Sequence, residues 1–262
     1  MDQILDYKVI KKIGSGSFSQ VYHAEKENKE YAIKLMHPPE GADAKEVVES
    51  LRYEFWVLKE IQHPNIVKIY DFGSLPDGRV FIVEELFTGQ SLDVFCQGKK
   101  FSDIEPILLQ IIDAVGAIHR WKLIHSDIKP ENILIEKVKN SFTAKLLDFG
   151  LCRPVSSYNK STESDTPSIS GTLATMAPEI LLRQNGDTRS DLYSLGVTFY
   201  ECLAGKNPFI AKNVDETINR HLTFKPDSIG LARDDVPPNW QQILDSLLEK
   251  KPHARASSID TL

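Results

Sequence analysis

No apolar run in this 262-residue chain approaches the roughly 20 residues that a membrane-spanning helix requires. Cysteine is scarce as well. Cys96, Cys152 and Cys202 are far apart and form no C-x-x-C pair. That argues against a disulfide scaffold and for a reducing, cytoplasmic setting. There is no basic run, and the formal net charge is −6. Neither nucleic acid nor an anionic membrane is therefore an expected partner. The start, Met1-Asp2-Gln3, lacks the basic and apolar regions of a secretory leader. Internal repeats are absent, and the one biased patch is the Ser/Thr-rich stretch from Ser156 to Ser170. What remains is a chain that is 41% hydrophobic. It is long enough for one large domain or for two lobes around a cleft.

The chain reads in two halves. Up to about Val83 the signals are those of strands. Tyr7-Lys8-Val9-Ile10 leads to a glycine-rich stretch. Val21-Tyr22-His23-Ala24 and Tyr31-Ala32-Ile33-Lys34 flank Lys26-Glu27-Asn28-Lys29, a polar hairpin turn. Val67-Lys68-Ile69-Tyr70 and Val80-Phe81-Ile82-Val83 flank the turn Pro76-Asp77-Gly78. One helix interrupts them, Lys45 to Ile61, with Val47, Leu51, Phe55 and Leu58 on one face. Glu54 lies on that apolar stripe. A lone carboxylate there costs several kcal/mol of desolvation unless it meets a cation or reaches solvent. After Gly89 helices dominate, from Ile104 to Trp121, Ser190 to Leu203 and Asn239 to Lys250.

The densest chemistry is His125-Ser126-Asp127-Ile128-Lys129-Pro130-Glu131-Asn132. It holds an acid that can take a proton from a hydroxyl, a cation that can hold phosphate, and an amide that can ligate Mg²⁺. Asp148-Phe149-Gly150 follows and offers a second metal carboxylate. An ordinary polar turn before the strand Ile133-Leu134-Ile135 is the bland alternative. It does not explain why the next strand, Lys145-Leu146-Leu147, also ends in an acid. Phosphoryl transfer needs these parts. Gly14-Ser15-Gly16-Ser17-Phe18-Ser19-Gln20-Val21, Ala32-Ile33-Lys34 and Ala177-Pro178-Glu179 occur in the matching order. Together these motifs resemble the eukaryotic-type (Hanks-type) Ser/Thr protein kinase catalytic domain.

The resemblance implies an α+β, bilobal fold: a small antiparallel β-sheet lobe with one main helix, and a larger, mostly helical lobe. It implies one kinase domain over 1–262, with an N-lobe at 7–86, a C-lobe at 87–262, a hinge near Glu85 to Thr88 and an activation segment at 148–179. Kinase domains run slightly further than Leu262, so the chain is expected to be a trimmed piece of a longer protein. ATP and Mg²⁺ are the implied cofactors, with Mn²⁺ as an alternative, and a protein is the implied substrate.

Residue by residue, the resemblance makes Asp127 the general base, or the group that orients the hydroxyl. Lys129 sits beside the transferred phosphoryl group, and Thr172 supports both. Asn132 and Asp148 hold the metal. Lys34 clamps the α- and β-phosphates and is held by Glu54; otherwise it is a solvated lysine ending a strand. Gly14 and Gly16 let the backbone approach phosphates, or else form a flexible hairpin tip. Ile13, Ser15, Ser17, Phe18, Val21, Ala32, Glu85, Phe87 and Leu134 complete the nucleotide site. Asp191 reads as the N-terminal cap of an apolar helix, and by resemblance it also braces the catalytic loop. Glu179 and Arg255 match a buried ion pair. His125, Phe149, Leu58 and Ile69 match an apolar stack. His119, His63 and Cys152 read as packing residues. Lys129 matches Ser/Thr kinases more than Tyr kinases.

The departures also carry meaning. Ser19 replaces a third glycine. Ser126 stands where the family has an arginine that grips an activation-loop phosphate. Activity is therefore expected not to depend strongly on a phosphate at Thr162, Thr166, Ser168 or Ser170. Glu84 falls at a usually apolar gatekeeper position, Leu173 where proline is common, and Thr175 replaces an aromatic residue. Ser19, Ser126, Glu84 and Thr175 support the alternative of a pseudokinase, a binding scaffold or allosteric partner. A small-molecule kinase is a third reading, opposed by Asp127-Ile128-Lys129-Pro130. Glu131 and Glu201 match positions that meet an arginine before the acceptor, so a mild preference for basic peptides is expected; two solvated carboxylates are the bland reading.

Overall fold

The computed structural model describes residues 2–15, 19–36, 55–149, 152–155 and 172–261. The chain divides into two compact units, Met1–Thr88 and Gly89–Leu262. One is an antiparallel sheet with a helix and the other is mostly helical, which is the α+β architecture expected.

The first unit is a six-stranded sheet. Its strands are β1 (Gln3–Ile4), β2 (Tyr7–Ser15), β3 (Ser19–Lys26), β4 (Lys29–Met36), β5 (Ile69–Ser74) and β6 (Val80–Glu85). They are ordered β1-β2-β3-β4-β6-β5, and every neighbouring pair is antiparallel. The β3–β4 turn falls where the polar residues placed it. Glu27 (φ 54°) and Asn28 (φ 60°) are both left-handed, as a two-residue hairpin with right-handed strand twist requires. Alternation sorts the side chains. Ile33 and Leu35 of β4 and Phe81 and Val83 of β6 join Ile4, Tyr7 and Ala24 in a buried cluster. Their neighbours Ala32, Lys34, Ile82 and Glu84 take the opposite face.

Two strand expectations shift. β5 begins at Ile69 rather than Val67, and β2 runs on to Ser15. Lys68 still accepts the Glu85 N–H at 2.8 Å. A bulge between Ile69 and Asp71 then resets the register, so the strand continues through Gly73 into Ser74. Of the Lys45–Ile61 helix, residues 55–60 are helical and the earlier part lies outside the described residues. Phe55 stacks on Phe72 with ring centroids 4.8 Å apart.

The second unit is built on helices. These are α1 (Leu92–Cys96), α2 (Phe101–Arg120), α3 (Pro178–Leu181), α4 (Thr188–Ala204), α5 (Val214–Thr223) and α6 (Pro238–Leu247). Short strands carry the catalytic segments: β7 (Gln90–Ser91), β8 (Leu123–Ile124), β9 (Ile133–Val138), β10 (Ser141–Leu146) and β11 (Arg153–Pro154). β9 lies between β7 and β10, and β8 pairs with β11. α2 buries the stripe Ile104, Ile107, Leu108, Ile111, Val115 and Ile118. Every residue of α4 from Ser190 to Leu203 except Glu201 is buried, which makes it the central post of this unit. Gly196 permits that packing. A Cβ there would stand 2.7 Å from Leu247 Cβ.

Asp191 does not cap α4. The cap is Asp187, whose side chain accepts the Arg189 N–H. The helix starts earlier than its apolar pattern because Thr188 and Arg189 are polar first-turn residues. That frees Asp191 for the catalytic loop.

Candidate active site

The loop between β8 and the 3₁₀ turn Pro130–Asn132 is held from beneath by Asp191, which is 1% exposed. Its Oδ2 accepts the His125 N–H at 2.8 Å and its Oδ1 the Ser126 N–H at 2.9 Å. His119 Nε2 lies 2.9 Å from Oδ2. These bonds hold Ser126 in the left-handed region, φ 68°. That conformation costs a residue with a Cβ about 1–2 kcal/mol. His125 is fully buried, and burial pushes its pKa down against the pull of Asp191, Asp127 and Asp148. Its Nε2 lies 3.0 Å from Leu147 O, and its Nδ1 accepts the Asp127 N–H at 3.3 Å. A carbonyl can only accept, so the neutral ring carries its proton on Nε2. The ring is thus a strut between the loop and the end of β10, and it is not a proton carrier. Phe149 packs edge-on against it at 5.0 Å.

The strut aims three side chains at one point. Lys129 Nζ donates to Asp127 Oδ2 at 2.7 Å. Asn132 Nδ2 donates to the same oxygen and to Asp127 O, both at 2.8 Å. Asp127 and Asn132 are buried, 6% and 9% exposed. The Leu147 N–H donates to Asn132 O at 2.8 Å, so Asp148 follows directly on the residue that bonds to Asn132. Asp148 is itself left-handed, φ 64°. Because the Asn132 amide nitrogen faces Asp127, its amide oxygen is the atom left to ligate. An amide oxygen and a carboxylate are both hard donors, the kind that a hard divalent cation takes.

The first unit presents its candidates on one sheet face. Gly14, Val21, Lys34 and Ile82 form a cross-strand row, and Ala32 pairs with Glu84 beside it. Lys34 and Ala32 are each 7% exposed. Glu84 is buried on the same face, 6% exposed, between Ala32 and Ile69. Among the described residues a Cβ on Gly14 would meet Val21, at an ordinary 3.5 Å. Ile13 and Ser15 are exposed, and Glu85 and Phe87 are half-buried. In the second unit Leu134 is half-buried on β9, paired with Ser91. Gly16, Ser17, Phe18 and Glu54 lie outside the described residues, so the Lys34–Glu54 pairing does too. Thr172 opens a 3₁₀ turn, Thr172–Thr175, but its side chain is not described.

Residues 7–262 match the protein kinase domain family. The chain belongs to that family. It is 31% identical over 259 residues to the serine/threonine-protein kinase ULK3 of Xenopus laevis, covering 97% of this chain and 54% of that protein. It is 35% identical over 266 residues to the serine/threonine-protein kinase pkn2 of Myxococcus xanthus, covering 98% and 31%. With the serine/threonine-protein kinase PrkC of Bacillus subtilis it shares 30% over 263 residues, covering 98% and 39%. The kinase domain thus spans about half, or less, of these relatives.

Further from the loop, Arg255 and Glu179 form the expected buried pair, 0% and 3% exposed at the side chain. Two guanidinium nitrogens meet both carboxylate oxygens at 2.9 and 3.1 Å. Cys152 is buried. His63 works within its own turn, accepting the Asn65 N–H at 3.2 Å. Among the described residues no helix is long and apolar enough to cross a membrane.

Two residues of this region were invisible in the sequence. Asn207 donates to Glu201 Oε2 at 2.8 Å and to Ala174 O at 3.1 Å, so it links Glu201 to the Thr172–Thr175 turn. Asp93 lies close enough to act electrostatically on Glu201, and its buried Oδ1 has no hydrogen-bond partner among the described residues. Burial pushes the Glu201 carboxyl up, Asn207 opposes this, and the charges of Glu131 and Asp93 push it further. No local spacing signals such long-range neighbours.

Proposed function

We propose that this kinase domain transfers the γ-phosphate of ATP to serine or threonine hydroxyls of proteins. The observation that carries the reading is the convergence of Lys129 and Asn132 on one oxygen of Asp127. A divalent cation, Mg²⁺ by the hardness of the donors, would be held by Asn132 and Asp148 and would neutralise phosphate charge. Asp127 receives the hydroxyl proton as the oxygen–phosphorus bond forms and the bond to the β-phosphate oxygen breaks. Lys129, now paired with Asp127, is close enough to follow the charge onto the transferred group. Lys34 takes the phosphate-clamp role on the first unit, with Gly14, Gly16, Ala32 and Val21 around the nucleotide. Thr172 supports Asp127 and Lys129. We read 7–86 as the N-lobe, 87–262 as the C-lobe and 148–179 as the activation segment. Three buried cysteines outside any disulfide suit a cytoplasmic setting.

Phosphate transfer from labelled ATP with Mg²⁺ to generic protein substrates tests this. Asp127→Asn and Lys34→Met should each lose at least about 10²-fold in rate. A parent protein that binds nucleotide yet fails to outpace both variants would make the chain a scaffold.

Two finer points follow. Ser126 Oγ is buried without a hydrogen-bond partner among the described residues, and a hydroxyl cannot supply the charge that grips a phosphate. Alanine at Thr162, Thr166, Ser168 or Ser170 should therefore leave most of the activity; a silent enzyme would refute this. Glu131, Glu201 and Asp93 form one negative region, which suits a basic residue near the acceptor. Glu201→Gln should raise KM for basic peptides several-fold and leave acidic ones unchanged. A peptide library that favours acidic sites would contradict it.

A further inference from the structure

Phosphoryl transfer gives no use to Glu84, a carboxylate on β6 where the family is usually apolar. It is buried, and its partners on the flanking strands are Ala32 of β4 and Ile69 of β5. Neither carries a polar side-chain atom. Ile82, two residues back on the same face, is fully buried. A carboxylate in such apolar company is costly unless donors reach it from above the sheet. Lys34 pairs with Ile82 and therefore lies on the diagonal of the Ala32–Glu84 pair, within reach of a long side chain. A carboxylate has about four lone-pair sites, so a protein donor still leaves sites for a ligand.

We propose that Glu84 selects the base of the nucleotide, which rests on the nucleotide site proposed above. Its carboxylate accepts a hydrogen bond from the exocyclic amine of adenine and rejects purines with an oxygen in that place. The sheet register supports this. Lys34 sits in the row Gly14, Val21, Lys34 and Ile82, and Ala32 with Glu84 forms the next row along. Two residues of strand separate the rows by about 6.6 Å. A nucleotide whose phosphates meet Lys34 and whose remaining length runs over Ala32 brings its base to the Ala32–Glu84 row. Ala32 offers only a methyl group, which leaves height for a flat ring. An ionised carboxylate can only accept. Adenine presents two N–H hydrogens on its exocyclic amine. Guanine and hypoxanthine present a carbonyl oxygen at the same ring position, so two acceptors would face each other with no proton between them. Such a mismatch costs on the order of 10- to 100-fold in affinity.

The test measures binding of ADP and of IDP, which carries hypoxanthine, to the full chain by calorimetry with Mg²⁺ present. The parent should prefer ADP. Glu84→Gln keeps the shape and adds an N–H donor that suits the hypoxanthine oxygen. This variant should bind IDP more tightly than the parent does, and its preference for ADP should shrink by on the order of 10-fold. A gain of binding cannot come from misfolding. A crystal structure of the parent with ADP decides the matter even if the variant folds poorly. A Glu84 oxygen should lie within about 3.2 Å of the exocyclic nitrogen. Three results would overturn the proposal: an unchanged preference, an equal loss of both nucleotides (Glu84 then serves Lys34 alone), or an oxygen–nitrogen separation beyond about 3.6 Å. A parent that selects ADP in this way but transfers no phosphate would sink the transfer and keep the role of Glu84. A parent that binds neither nucleotide would sink both.

Discussion

Replacing Asp191 by asparagine removes one charge and leaves the shape unchanged. The carboxylate now accepts two backbone N–H groups, from His125 and Ser126, and contacts His119. Asparagine keeps one oxygen and turns its NH₂ toward a second donor. At least one charge-assisted bond, worth about 1.5–3 kcal/mol, is lost, and a buried N–H is stranded at about 1–3 kcal/mol more. The expected loss is about 3–5 kcal/mol, a large share of the roughly 5–15 kcal/mol that holds a domain together. Urea unfolding measures it. The effect should also be local. Ser126 at φ 68° is held against its own preference by that bond. Once released, the loop relaxes and Asp127 loses its aim. Phosphotransfer, measured where the variant is still folded, should fall at least about 10²-fold. Ser126→Gly removes the conformational strain, so it should recover about 1 kcal/mol in the Asp191→Asn background. A stability loss under about 1 kcal/mol with full activity would show that other contacts hold the loop.

The buried ion pair makes a second prediction. Arg255 donates to both oxygens of Glu179 and to the carbonyls of Arg189, Glu249 and Lys250. Arg255→Met should cost about 3–5 kcal/mol in urea unfolding, and adding Glu179→Met should return part of it, because the stranded charge is gone. Acid is a third probe. Burial and the nearby Lys250 hold His221 neutral, its pKa lowered from 6.5 to about 3. It hydrogen-bonds Tyr193 Oη at 3.0 Å and stacks on Phe209 at 4.5 Å. The unfolded chain binds a proton that the folded one refuses. Stability from this group is complete above 6.5 and is lost as pH falls toward 3, at up to about 1.4 kcal/mol per pH unit. The fully buried His125 adds in the same direction. His221→Phe should flatten the unfolding free energy between those limits, and an unchanged slope would refute the assignment.

Some of this was legible because it is local. Asp127, Lys129 and Asn132 meet across a turn of a few residues, so their spacing alone brings them together. The hairpin at Glu27 and Asn28 and the stripe of α2 are likewise short-range consequences of polarity and period. The resemblance supplied the partners that spacing could not, among them Arg255 for Glu179 and the bracing role of Asp191. Read from its own surroundings, Asp191 was a helix cap. Asp187 holds that place because the polar first turn of α4 extends the helix beyond its apolar pattern.

Residue types and short spacings, then, determined the chemistry available to this protein: which groups can take a proton, hold a phosphate or ligate a metal. Tertiary structure alone decided that Asn207 ties Glu201 to the turn at Ala174 and that Asp93 lies close enough to act on Glu201. The reason is that α4 is buried along almost its whole surface. Which residues meet across its surface depends on how every surrounding element packs against it, and no stretch of chain carries that information by itself.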